Sequence, residues 1–308
     1  MNVPAPAGLL VVGDVVTDVL ALHGQPPRPG TDTAADIVVA PGGSAANTAA
    51  WAAELGADVR LLARVGADTG GWHAARLRAA GVRPHLRTDP GRPGAVIIVL
   101  VDASGERTML TSRGAGALLG PDDWDDALLE GVGWLHLSGY TLFTAPGRAL
   151  ARLALERAAD RGVRVSVDPA STGFLAELGA ERFLEAAGGA AVLFPNRDEA
   201  ALLTGCQDAG TAAARLSGHF GLVVCKLGAR GAVVAREGRL VARVPAVTAR
   251  AVDSTGAGDA FAAGFLAAAL AGRGAEAAAA AGCRAGALAV ARVGGRPGPP
   301  GSPADPAR

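Results

Sequence analysis

Lysine is nearly missing from this sequence. Lys226 is the only one in 308 residues, and the rest of the 29 basic side chains are arginine. In so biased a composition a single surviving lysine asks for a specific reason. Cysteine is scarce as well. Cys206, Cys225 and Cys283 make an odd number and contain no C-x-x-C pair. That excludes a disulfide framework and a cysteine zinc site, and it suits a reducing cytoplasm. No apolar run is long and clean enough to span a bilayer; the alanine-rich stretch 276–290 is broken by Cys283 and Arg284. The first apolar run has no basic region before it and stops at Gly13-Asp14, so it reads as a buried strand and not as a signal peptide. Basic and acidic side chains balance at 29 each with no long run of either sign, which argues against a nucleic-acid polymer or an anionic membrane as main partner. A small anionic ligand needs only a local site and stays open. The five histidines, His23, His73, His85, His136 and His219, lack metal-ligand spacing and read as structural. A Walker A motif is absent, and Gly114-x-Gly116-x-x-x-Gly120 has the wrong spacing for a dinucleotide loop.

What is present is a core and an alternation. Half of the chain is hydrophobic. Residues 9–13 read as a strand, and 15–40, interrupted by Pro and Gly, as two short strands around a loop leaving the main sheet. Residues 95–101 and 107–111 form a hairpin pattern. Strands at 59–65, 134–138, 163–168, 191–194 and 222–227 alternate with helices at 44–55, 73–80, 147–160, 174–187, 198–204, 212–219, 259–271 and 276–291, with a further hairpin over 232–244. This predicts an α/β fold with a mostly parallel sheet, whose ligands sit beyond the carboxyl ends of the strands. Asp14, Ser138, Asp168 and Asn196 all fall at such ends.

The stretch 251–265 carries the chemistry. Asp253 to Gly258 is a glycine turn, and helix formers follow from Asp259. Backbone N–H groups at the start of that helix converge with the positive end of its dipole, which makes an anion site. A carboxylate placed there would repel a phosphate that was merely held. It makes sense if Asp259 takes a proton from a nucleophile attacking the phosphate, with Gly256, Ala257, Gly258 and Asp259 supplying amides for the developing charge. Taken alone, a G-x-G-D segment also fits a plain capped helix.

Other stretches are ambiguous by themselves. Gly42 and Gly43 precede a helix whose first turn holds Asn47, a side chain that donates and accepts as a sugar hydroxyl requires. Asp14 and Asp18 could hold hydroxyls or a metal. Asn196-Arg197-Asp198-Glu199 reads locally as an ordinary helix start, though its oxygens are hard ligands suited to Mg²⁺.

Together these segments resemble the ribokinase-like carbohydrate kinases, the phosphofructokinase B type (PfkB) family. Residues 253–264 match its signature D-[ST]-T-G-A-G-D-x-F-x-x-G, and Gly43, Asn47, Ala49, Gly56 and Gly66 fall in the register of its second signature. The resemblance implies a three-layer α/β/α sandwich with a mostly parallel central sheet and a small β-sheet lid. It implies one kinase domain over 1–296, with a discontinuous lid at about 15–40 and 94–113, and a disordered tail over 297–308. By the same resemblance, Asp259 is the catalytic base. Asp14, Asp18, Gly42, Gly43 and Asn47 contact substrate. Asn196, Lys226, Gly228, Gly231, Gly256 and Gly258 lie at ATP. Glu199, Asn196 and Asp253 organise Mg²⁺, and K⁺ is held by backbone oxygens near Asp253 and around 293–296. The implied protein is a cytoplasmic, ATP-dependent kinase acting on a hydroxymethyl group of a sugar, and a homodimer paired through its lid. Ribose-specific members resemble G-S-I-N-A-D and G-G-K-G-A-N where this chain has Val16 and Ser44, which argues against ribose. A nucleoside kinase of adenosine, cytidine or pseudouridine type is the nearest alternative. It needs a shelf for the base, for which Tyr140, Phe143 and Trp72 are candidates among few aromatics. A non-catalytic sugar or nucleotide sensor is the alternative of another class, and the intact Asp259, Gly258 and Glu199 argue against it.

Overall fold

The structure, a computed structural model, describes residues 7–104 and 106–298. In chain order the strands are β1 (Gly8–Val12), β2 (Val16–His23), β3 (Ala35–Gly42), β4 (Val59–Gly66), β5 (Val82–Asp89), β6 (Ala95–Val101), β7 (Arg107–Ser112), β8 (Val132–Ser138), β9 (Arg164–Asp168), β10 (Val192–Leu193), β11 (Leu222–Lys226), β12 (Ala232–Arg236) and β13 (Arg239–Val244). Nine of them form one sheet in the order β13-β12-β11-β10-β9-β8-β1-β4-β5. From β5 across to β11 the neighbours are parallel, and β12 and β13 close that edge antiparallel.

A parallel sheet must bury both faces, and the residues alternate accordingly. Leu9, Val11, Leu61, Trp134, Phe194 and Val224 enter one apolar core with Phe261 and Phe265 of the helix Ala257–Leu270. Leu10, Val12, Leu62, Leu135, Leu137 and Val223 enter the other. From β1 the chain winds outward through β4 to β5, then returns to β8 on the opposite side and proceeds to β11. The reversal between β1 and β8 opens a crevice at their carboxyl ends, where ligands bind in sheets of this kind.

The second sheet has the order β3-β2-β6-β7 and crosses that crevice. Its two faces differ in what they meet. The row Ala40–Asp18–Ile97–Thr111 and the row Val38–Leu20–Val99–Met109 share one face, most of which lines the cleft below. The row Val39–Val19–Ile98–Leu110 lies on the opposite face.

Three expectations need correction. The strands of 15–40 are eight residues each and not short. The helix expected over 174–187 is two, Thr172–Leu178 and Ala180–Ala186, separated at Gly179 with φ 88°. Strand β5 was not anticipated: it is the sheet edge, with Pro84 and the basic residues Arg83, His85 and Arg87, so it lacks the apolar run of an interior strand. The tail expected from 297 lies outside the described residues from 299 onward. Among the described residues no helix is long and apolar enough to cross a membrane.

Candidate active site

A cleft of about 1130 Å³ runs along the carboxyl ends of the parallel strands and under the small sheet. Asp259 stands at its centre, in the first turn of Ala257–Leu270. That helix begins at Gly256 in the left-handed conformation, φ 72°. A β-carbon there would fall 2.5 Å from the carbonyl oxygen of Gly295, so glycine satisfies both the turn and the contact. The Asp259 carboxylate accepts from Ser44 Oγ at 2.8 Å on Oδ1 and from Asn47 Nδ2 at 3.0 Å on Oδ2. Burial pushes its pKa up to about 7; the two hydrogen bonds oppose the rise, and the charges of Asp168 and Asp14 add to it. A carboxyl group near 7 is poised to take and return a proton at physiological pH.

The residues expected at the acceptor come from three segments. Asp18, on β2, reaches the floor of the cleft beside Gly42. A β-carbon on Gly42 would lie 2.1 Å from Asp18 Oδ2, so any side chain there would displace the carboxylate. Burial raises the Asp18 pKa to about 6, against the lowering field of Arg296. Asp14 is spent on structure as well as lining the cleft. It accepts from the amides of Ser44 at 2.7 Å and Ala45 at 3.2 Å and from Ser138 Oγ at 3.0 Å, which ties β1 to the helix Ser44–Glu54 and to β8. Gly43 precedes that helix with φ 97°. Arg296 donates from Nη2 to the Gly42 carbonyl at 2.8 Å and from Nε to Asn47 Oδ1 at 3.3 Å. It thereby sets the direction of the amide that meets Asp259.

A second group, expected at the nucleotide from the resemblance, gathers the remaining residues. Asn196 and Glu199 form a reciprocal capping box at the start of Arg197–Thr204, with Glu199 N to Asn196 Oδ1 at 2.9 Å and Asn196 N to Glu199 Oε2 at 2.8 Å. Glu199 is also buried, and desolvation holds its pKa up at about 7 despite Lys226. Lys226 ends β11, pairs through Nζ with Asp168 Oδ2, and sits where a β-carbon on Gly258 would lie 3.4 Å away. Burial works against its charge, but Asp168, Glu199 and Asp259 together raise its pKa. The single lysine thus lies at the amide-rich mouth of the catalytic helix. Gly228 lines the cleft, whereas Gly231 does not and instead packs against the Val244 carbonyl. Asp253 is buried and accepts from Thr255 N and Oγ1 at 2.9 and 2.7 Å and from Gly294 N at 3.0 Å, which clamps the signature turn to the segment after the last helix.

Sequence reasoning placed Asp168 at a ligand-facing strand end without giving it a role, and it weighed Ser44 only as a departure from the ribose pattern. Arg296 and Arg113 gave no local signal. Of the shelf candidates, Tyr140 lines the cleft and packs edge-on against Phe143 and Phe174, whereas Trp72 lies outside it against His73 and Arg76. His136 is a core histidine bonded to Ser166 Oγ at 2.8 Å.

A cleft at a topological switch point, with a carboxylate at a helix N-terminus and a lysine beside it, defines a phosphoryl-transfer enzyme of the ribokinase fold. Residues 7–300 match the family described as pfkB family carbohydrate kinase, and the chain belongs to that family. It is an ATP-dependent phosphotransferase. It is 36% identical over 264 residues to the ATP-dependent ribose-1-phosphate kinase of Halopiger xanaduensis, covering 84% of this chain and 83% of that one. Among solved structures it resembles a probable sugar kinase of Rhizobium etli, at TM-score 0.86 and 27% identity over 95% of both chains. The adenosine kinase of Sinorhizobium meliloti follows at TM-score 0.84 and 28% identity, over 95% of this chain and 96% of that one.

Proposed function

We propose that this carbohydrate kinase moves the γ-phosphoryl group of ATP to a hydroxymethyl oxygen of a sugar or sugar derivative bound beneath the small sheet. The observation that carries the reading is Asp259, buried at a helix N-terminus, braced by Ser44 and Asn47, and raised to about 7. The Asp259 carboxylate takes the hydroxyl proton as that oxygen bonds to phosphorus and the bond to the ADP oxygen breaks. The amides from Gly256 to Asp259 and the ammonium of Lys226 meet the charge on the transferring group. Asp14 and Gly43 shape the pocket floor, and Asp18 and Asn47 bind acceptor hydroxyls.

Mg²⁺ bound with ATP supplies charge neutralisation at the phosphates. Glu199 and Asn196 are the hard-oxygen residues suited to hold it: Glu199 Oε1 accepts no hydrogen bond from a described residue, and its neighbour Asp168 adds negative field. Asp253 organises the 293–296 segment, whose backbone oxygens suit K⁺. The small sheet has an apolar face turned from the cleft, with Val39 57% and Leu110 55% exposed. A second copy of the chain covering that face makes a homodimer through the lid. The kinase domain is placed over 1–296 and the protein in the cytoplasm, where its free thiols are stable.

A nucleoside acceptor is the second reading, favoured by the rings of Tyr140, Phe143 and Phe174. ADP release with a panel of sugars, sugar acids and nucleosides separates the two. Asp259→Asn should lower turnover about a thousandfold while ATP binding survives. Near-normal turnover would refute the assignment of the base.

A further inference from the structure

Arg113 follows β7, at the root of the small sheet, and lines the cleft with Tyr140 and Phe174. Its guanidinium lies 4.2 Å from the centroid of the Phe174 ring and 5.7 Å from that of Phe143. Its Nη2 is buried without a partner, and Arg113 makes no hydrogen bond or ion pair with any described residue. Among the described residues that line the cleft, no other cationic side chain combines a buried nitrogen with the lack of any polar partner; Arg76 is exposed. Lys226 is paired with Asp168. Arg296 also has an unpartnered buried nitrogen, Nη1, but its other nitrogens are committed to Gly42 and Asn47, and Asp18 faces it. Arg113 is therefore the half-buried, uncommitted cation among the described residues of the site.

A half-buried guanidinium without a counter-charge is costly unless a ligand supplies one. Stacking on Phe174 holds the group flat and leaves its donor edge for a planar or tetrahedral anion. The same stacking covers a face of Phe174 that a nucleobase would need. The fields of Tyr140, Asp14 and Glu177 reach it without a hydrogen bond or ion pair, and it shares the cleft wall with Asp14, Asp18 and Tyr140, the residues read above as the acceptor side.

We propose that the acceptor is an anionic sugar, a phosphate ester or a carboxylate, and that Arg113 binds its charged group while the distant hydroxymethyl group reaches Asp259. This rests on the kinase reading above and names its substrate class.

The experiment compares ribose, ribose 1-phosphate and ribonate, with the fructose series in parallel, by ADP release. An anionic acceptor should exceed its neutral parent in kcat/KM by about a hundredfold, the worth of one good charge-assisted contact. The more efficient of ester and acid tells phosphate from carboxylate. Arg113→Gln should cut the anionic-to-neutral ratio by about a hundredfold and Arg113→Lys by about tenfold, since lysine keeps the charge but loses the fork. Calorimetry of ribose 1-phosphate and ribonate on Asp259→Asn, with and without Arg113→Gln, reads binding apart from turnover. Binding that depends on Arg113, with no ADP release from any acceptor, upholds the anion site and overturns the sugar-kinase reading. Preferred turnover of neutral sugars, or an Arg113→Gln variant that lowers every acceptor by one factor, overturns the anion site and leaves the kinase standing. Silence in both assays overturns both.

Discussion

Asn47 donates its amide to Asp259 across 212 residues of sequence, Nδ2 to Oδ2 at 3.0 Å. One residue would thus serve both halves of the proposed reaction: it lines the cleft where the acceptor is proposed to bind, and it braces the carboxylate proposed as base. Its other end is held by Arg296 at 3.3 Å.

This link sets a pH dependence. Asp259 must be ionised to act, so kcat/KM should fall about tenfold per unit below a pKa of about 7. The Asn47 hydrogen bond lowers that pKa, so Asn47→Ala should move the inflection upward. A pH-rate profile on both proteins checks this; a coincident inflection would refute it. Stability runs in the opposite direction to activity. The folded pKa lies above the ordinary aspartate value of 3.8, so the folded state loses stability as pH rises from about 4 through 7. Asp259→Asn should therefore melt several degrees above the wild type at pH 8 and no higher near pH 4.

Gly42 carries no side chain because Asp18 occupies the space, 2.1 Å from where a β-carbon would sit. Gly42→Ala should raise the KM for the acceptor at least about tenfold by displacing Asp18, with a smaller effect on the KM for ATP. Equal changes in both constants, measured by initial rates, would place Asp18 elsewhere in the reaction.

Lys226 compensates Asp168 and Glu199 in a site where the paired side chains are 13% and 7% exposed. Lys226→Met should cost about 3 kcal/mol at pH 8, since removing one partner leaves buried carboxylates unpaired. Glu199, whose pKa burial holds up at about 7, takes a proton as pH falls, so the deficit should shrink by pH 5. Denaturant melts at the two pH values give the answer, and a deficit that grows in acid would contradict it. Turnover should fall about a hundredfold or more through the lost charge at the transferring group.

The exposed row Val39–Val19–Ile98–Leu110 should be the dimer face of the small sheet. Leu110→Lys should convert a dimer to a monomer in light scattering. A wild type that is already monomeric at micromolar concentration would dispose of the idea.

Much of the fold was legible because its signals are local. Parallel strands buried on both faces are apolar runs, and helix starts and stops leave their marks at Ser44, Gly56 and Asp259. The edge strand β5 escaped because an edge accepts proline and arginine that an interior strand rejects. The helix start read at Asn196 to Glu199 is a capping box in the structure, and both residues line the cleft, because a helix start and a cleft wall are here the same place.

The sequence alone determined that a glycine turn feeds a helix with Asp259 in its first turn, hence where the amides converge, because backbone conformation and helix polarity are properties of neighbouring residues. Only the tertiary structure decided that Lys226 pairs with Asp168, that Arg296 turns the amide of Asn47, and that Arg113 is left on Phe174 without a counter-charge. Those relations join residues 58 to 249 positions apart, or depend on what a side chain fails to meet. Neither leaves a period or a motif along the chain.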